Sequence, residues 1–168
     1  MQTFVPINTS FKASAQVLDN KRLHKQALEA WQILMVLLEL DPAGNHRTPR
    51  GWVNHPAVKM WRGYEMALYQ YIQQMVIEWK KRGFKSTLDV KSANTLVHAK
   101  NLNRVNGIMT FPHWVEDAEL YAKVSSSHRT ALLSKDYGWY SQFNWAEDAG
   151  VRPENYEYVW PMELEHAA

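Results

Sequence analysis

Apolar residues that recur every three or four positions, over two long stretches, constrain this chain more than any other feature. In residues 14–40 the recurring set is Val17, Leu23, Ala27, Leu28, Trp31, Leu34, Met35 and Leu38, which predicts a helix ended by Pro42 and Gly44. A second helix opens at Asn54-His55-Pro56, where Asn caps and Pro suits the first turn. Its stripe of Ala57, Trp61, Tyr64, Leu68, Tyr71, Met75 and Trp79 runs to Lys80-Lys81-Arg82-Gly83, a basic last turn followed by a glycine stop. A helix that long is expected to bend near Gly63. Residues 115–135 carry a third stripe of Leu120, Tyr121, Val124, Ala131 and Leu132. Residues 84–113 show no sustained period and read as a loop-rich insertion, with room for a short helix over 89–99. The end of the chain is aromatic, first Tyr137, Trp139, Tyr140, Phe143 and Trp145, then Tyr156, Tyr158 and Trp160. No strand-like alternation persists, so the expectation is an all-α, compact single domain of about three main helices, a size that 168 residues can supply with one core.

Several chemistries fall away on residue content. There is no cysteine, hence no disulfide, thiolate metal site or thiol nucleophile, which suits a cytoplasmic setting. No apolar run approaches the length of a membrane span, and Met1 opens no signal peptide. Neither a Walker sequence nor GxGxxG occurs, and no two of the seven histidines are three to five residues apart, so helix-borne metal pairs are missing. In Ser125-Ser126-Ser127-His128-Arg129 adjacent side chains diverge on a helix, which disfavours a hydrolase triad and leaves Arg129 as a phosphate contact.

The net charge of +2 hides an asymmetry. Residues 1–110 hold 15 Lys and Arg against 7 Asp and Glu, residues 111–168 hold 4 against 10, so the two parts carry +8 and −6. Cations cluster at Lys21, Arg22 and Lys25, at Arg47, Arg50, Lys59 and Arg62, and from Lys80 to Arg104, interleaved with Trp and Tyr, a pattern that phosphate contact with base stacking requires and that solubility and ordinary basic helix ends also produce. The first helix also bears a polar stripe, Asp19, Arg22, Gln26 and Glu29, bordered by Lys25. Pattern alone admits two readings of that stripe: a solvated, ion-paired face, or a catalytic carboxylate set among cations and amides.

The motifs Val17-Leu18-Asp19, Arg22-Leu23, Lys25-Gln26 leading to Glu29, Gln32-Ile33-Leu34, Asn54-His55-Pro56-Ala57, Trp61-Arg62, Lys81-Arg82-Gly83-Phe84, Ser127-His128-Arg129 and Tyr158-Val159-Trp160-Pro161 span nearly the whole chain. In these it resembles the pyrimidine-dimer DNA glycosylase family of the endonuclease V type, in its bacterial and actinobacteriophage branch. The resemblance implies a helical enzyme that flips a nucleotide out of duplex DNA and cuts its glycosidic bond. It implies, further, an N-terminal α-amine as nucleophile, forming a Schiff base at C1′, and a first-helix glutamate that assists ring opening and β-elimination. Such an amine titrates near 8, so a useful neutral fraction exists at pH 7, and the chemistry needs no cofactor or metal.

Carried onto this sequence, the catalytic set is Met1, Glu29 and Arg22, with Arg22 holding a phosphate or the opened sugar. The DNA-binding set is Lys21, Lys25, Gln26, Arg50, His55, Arg62, Lys81, Arg82, Lys85, His128 and Arg129, the partner is double-stranded DNA, and the expected state is a monomer. The aromatic run from Tyr137 to Trp145 falls where the family has aromatic substrate contacts. Gln2 has a long side chain and so favours retention of Met1, and a longer lead-in through Pro6 and Asn8 obliges the N-terminus to fold back onto Glu29. Should it not reach, Lys25 is the substitute nucleophile. Two other readings remain: a DNA-binding or protein-interaction module that no longer cleaves, and a glycosidase for a nucleotide or RNA.

Overall fold

A computed structural model describes residues 1–162. Among them are eight α-helices and no strand: α1 (Phe11–Val17), α2 (Asn20–Leu38), α3 (Pro56–Lys59), α4 (Glu65–Lys81), α5 (Leu88–Asn101), α6 (His113–Glu116), α7 (Ala118–Lys135) and α8 (Tyr137–Tyr140). The predicted all-α class holds. α2 and α4 form the central pair, α1 lies on α4, and α5 leans on both. Buried Leu23, Ala27, Ile33, Leu34 and Leu38 of α2 join Leu68, Tyr71, Ile72 and Met75 of α4 in one hydrophobic cluster.

Each predicted long helix is interrupted. The first breaks at Leu18-Asp19, where both residues are extended. Arg82 sits across that break and donates to the carbonyls of Ala15, Gln16 and Leu18, which replaces the acceptor pairing that a continuous helix would provide. On the other side the Asp19 carboxylate accepts from the Tyr140 hydroxyl and from Arg22. The second helix breaks outright at Gly63, whose φ of +86° lies in the left-handed region that glycine tolerates. α7 starts afresh where the Asp117 carboxylate accepts from the Leu120 N–H.

The reading of residues 84–113 as a loop-rich insertion needs correction, because α5 occupies 14 of those positions. Its buried side is Leu88, Ser92, Thr95, Leu96 and Ala99, and two polar residues in that stripe conceal the period. Both are satisfied: the Ser92 hydroxyl donates to the Leu88 carbonyl, and Thr95 Oγ1 accepts from the Trp31 indole at 2.9 Å. The described residues thus hold four helices of 14 residues or more in place of three.

The least helix-like segment organises the site. Residues 2–6 have no regular secondary structure and are buried, with Thr3 and Val5 wholly inaccessible. A non-helical segment inside a helical core must satisfy its backbone with side chains, since neither a helix nor a ladder is available. Gln26 of α2 accepts from Phe4 N–H at 2.7 Å, and Tyr71 of α4 donates to the Phe4 carbonyl at 2.7 Å. From α7, His128 Nδ1 accepts from Val5 N–H at 2.9 Å, Ser125 donates to the Val5 carbonyl at 2.6 Å, and Arg129 donates to the Pro6 carbonyl at 2.7 Å. Ser14 then closes the lead-in by pairing with both backbone groups of Ile7.

Candidate active site

This threading brings the first residue back onto α2. The Gln2 N–H donates to Glu29 Oε2 at 3.2 Å, so Met1 stands one peptide unit from the carboxylate. The stripe Asp19, Arg22, Gln26, Glu29 is therefore not a solvated face. Asp19 and Gln26 are buried, Arg22 and Glu29 are mostly covered, and the N-terminal segment lies along them. Around the junction is a cavity of about 290 Å³ lined by Met1, Gln2, Phe4, Lys21, Arg22, Lys25, Gln26, Glu29, Lys135 and Tyr158. Four cationic side chains face one carboxylate across it, and Lys25 Nζ lies 3.9 Å from Glu29 Oε1. Such a field selects an anionic ligand and leaves Glu29 paired but reachable.

Tyr158 enters this wall from the second aromatic run. Its hydroxyl is pushed above the ordinary phenol range by burial first and by neighbouring Tyr156 next, so it stays protonated and can donate. Tyr156 is lowered, chiefly by its hydrogen bond to Lys135, whose ammonium lies 5.0 Å from the ring centroid. Tyr71, beneath the cavity, is raised by burial first and by Glu29 second.

Met1 also lines a second cavity, of about 560 Å³, whose walls are Gln32, Met35, Val36 and Leu40 on one side and Arg47, Thr48, Pro49, Arg50 and Trp52 on the other. His55 packs beside Trp52 of this cavity. Its Nδ1 caps α3 by accepting from Ala57 N–H at 3.0 Å, and its ring packs against Trp52 at 5.1 Å and Trp160 at 5.9 Å. Partial burial, followed by the positive α-amine, lowers the His55 pKa and keeps the imidazole neutral.

The family model described as pyrimidine dimer DNA glycosylase matches residues 1–92. The chain belongs to that family. Its substrate class is accordingly DNA, and its activity by family is that of a DNA-repair glycosylase. The match covers Met1, Arg22 and Glu29, whereas Lys135 and Tyr158 lie beyond it. No curated protein and no solved structure matches the chain.

The residues expected to meet DNA divide sharply. Lys21, Arg22, Lys25 and Gln26 line the cavity with Met1 and Glu29, and Arg50 lines the second one. Gln26 is tied at its carbonyl oxygen by Phe4 and Tyr71 and so acts on the N-terminal segment. Lys81 is exposed at the end of α4, and Lys85 lines a separate cavity with His24, Leu28 and Phe84. Arg62 donates to the Val53 carbonyl at 2.8 Å and steadies the turn before α3.

Three assignments are corrected. Arg82 has no spare valence for phosphate: its guanidinium serves Glu78, Asn20 and the three carbonyls at the helix break. Arg129 is held in a two-point ion pair with Glu147, at 2.6 and 2.9 Å, besides its bond to Pro6. His128 is completely buried and cannot touch DNA. The run from Tyr137 to Trp145 is likewise structural: Tyr140 holds Asp19, Trp139 donates to the Val17 carbonyl, and Trp145 stacks on Tyr140 and Phe143. Sequence reasoning overlooked Lys135 and Trp52 as site residues. Lys135 comes from the acidic half of the chain, where charge distribution points away from it.

No described helix is long and apolar enough to cross a membrane, and no group of three or more potential metal ligands occurs among the described residues. His166 lies outside them.

Proposed function

We propose that this protein is a DNA N-glycosylase with abasic-site lyase activity on damaged or modified pyrimidines in duplex DNA, working as a monomer through the α-amine of Met1. The observation that carries the reading is the Gln2–Glu29 hydrogen bond, which holds the first residue beside a carboxylate in a cavity ringed by cations. The neutral amine attacks C1′ of an extruded nucleotide, and the base departs with the glycosidic bonding electrons and a proton. The nitrogen lone pair then expels O4′ from C1′, and opening of that bond gives the protonated imine, the electron sink for the elimination that follows. Glu29 protonates O4′ as the ring opens, then removes a C2′ proton so that the 3′-phosphate leaves. Arg22, Lys21, Lys25 and Lys135 neutralise the flanking phosphates, and this cationic ring is what favours a polyanionic duplex over a neutral substrate. A damaged base, being less well stacked and paired, is the cheapest to extrude.

Borohydride trapping tests the reading. The protein should form a reduced covalent adduct with a duplex carrying a UV pyrimidine dimer or an abasic site, and an N-terminal extension should remove it. An adduct that persists with the extension but disappears with Lys25→Ala would make Lys25 the nucleophile. No adduct with either duplex, alongside intact salt-dependent affinity, would identify a non-cleaving binder, while equal affinity for free nucleotide would point to a nucleotide glycosidase.

A further inference from the structure

A third cavity shares no residue with the two that Met1 lines. Its volume is about 510 Å³, within the usual range for small-ligand sites. Phe11, Phe111 and Tyr121 contribute three aromatic rings to its walls. Lys12 and Glu116 bring opposite charges, so the cationic field at Arg22 and Lys25 has no counterpart here. Three polar groups on this largely apolar wall are without partners. The Tyr121 hydroxyl is buried and makes no hydrogen bond, in a residue only 4% exposed. Gln70 and Gln74, one turn apart on α4, are half-buried, and their side-chain amides have no hydrogen bond with any described residue. Water can pair such groups only by wetting the rings beside them, whereas an apolar body with a polar edge pairs them and covers the rings.

We propose that this cavity is a second ligand site, which takes a small, uncharged aromatic amide. The ligand's ring packs on Phe11 and Phe111, which meet edge to face with centroids 6.0 Å apart. Its carbonyl oxygen accepts from the Tyr121 hydroxyl, which burial keeps protonated by raising its pKa. Its N–H and the free face of its carbonyl match the two glutamine amides, each of which both donates and accepts. Charge is selected against: a carboxylate that approached Lys12 would also face Glu116, and a phosphate would find a single cation. Phe11 in turn packs on Trp61 at 5.7 Å and on Tyr71 at 5.5 Å, the residues that bond Thr3 and the Phe4 carbonyl. The ligand therefore sits one ring behind the segment that delivers Met1. Binding there needs neither DNA nor the Met1 amine, so it stands or falls apart from the glycosylase reading.

The test titrates the full chain, isotope-labelled for NMR, with acetanilide as the probe and with sodium benzoate as its charged counterpart. Acetanilide should shift the side-chain amide signals of Gln70 and Gln74 and the backbone signal of Phe111 saturably, and benzoate should bind more weakly. Tyr121→Phe should weaken acetanilide by roughly two- to tenfold, the worth of one hydrogen bond, while stability in urea stays equal or rises because an unpaired buried hydroxyl has gone. Gln74→Leu, on the surface side of α4, should weaken the probe to a similar degree. Unchanged affinity in both variants, benzoate bound as tightly as acetanilide, shifts confined to another face, or no saturable shift in the low-millimolar range would each overturn the site.

Discussion

The polar stripe of α2 and the serine-histidine-arginine run of α7 carry similar residues, but the structure uses them in opposite ways. Arg22, Lys25 and Glu29 reach an open cavity, whereas Ser125, His128 and Arg129 are turned onto the backbone of residues 5 and 6. The two are mechanically linked. What α7 grips is the segment whose first residue α2 receives, so the buried polar groups of one region fix the geometry of the other. A buried polar side chain bonded to backbone specifies position, and a cation left facing a cavity provides binding.

The contrast breaks most visibly at Glu29. Glu29→Gln should reduce strand scission by something on the order of 10²- to 10⁴-fold, the range for loss of a general acid-base group, with DNA affinity equal or tighter because a negative charge has gone. Undiminished cleavage in a gel assay would remove Glu29 from the chemistry.

His128 should show the other behaviour, stability first and activity as its consequence. His128→Leu leaves the buried Val5 N–H without an acceptor, a loss of about 1–3 kcal/mol in urea unfolding. Burial, with Arg129 adding to it, drives the His128 pKa from 6.5 down to about 3. Between those values the unfolded chain takes up a proton that the folded chain refuses. The residue's contribution is therefore complete above pH 6.5 and declines by on the order of 1 kcal/mol for each unit of acidification toward pH 3. His128→Leu should flatten that slope, and an unaltered pH profile would show that another group sets it.

The smallest effect sharpens the division among cations. Lys135→Ala, at the cavity, should reduce the slope of log affinity against log salt by about 0.9, the value for one phosphate contact. Arg82→Ala should lower the unfolding free energy and leave that slope alone, since its guanidinium is engaged by the α1–α2 break. A reversed pattern would move the DNA to the α4 end.

Helix content, the central apolar stripes and the cationic first half were all legible in the chain, because each is a local period or a local composition. α5 was hidden by Ser92 and Thr95, which look polar until Trp31 and a helix carbonyl are found to satisfy them. The candidate site was half legible: Arg22, Lys25 and Glu29 share a helix face, but Lys135, Tyr158 and Trp52 come from distant positions with no common spacing.

By itself, then, the amino-acid order determined which segments coil and which residues stand beside Glu29 on one turn of helix. Only the tertiary structure decided that a non-helical N-terminal segment runs through the core, that Met1 ends at that carboxylate, and that Arg82, His128 and Arg129 hold backbone instead of facing solvent. The reason is physical. Periodicity reports how a helix faces its surroundings, but a backbone amide buried away from water is satisfied by whichever side chain reaches it, and His128 reaches Val5 across 123 positions of sequence.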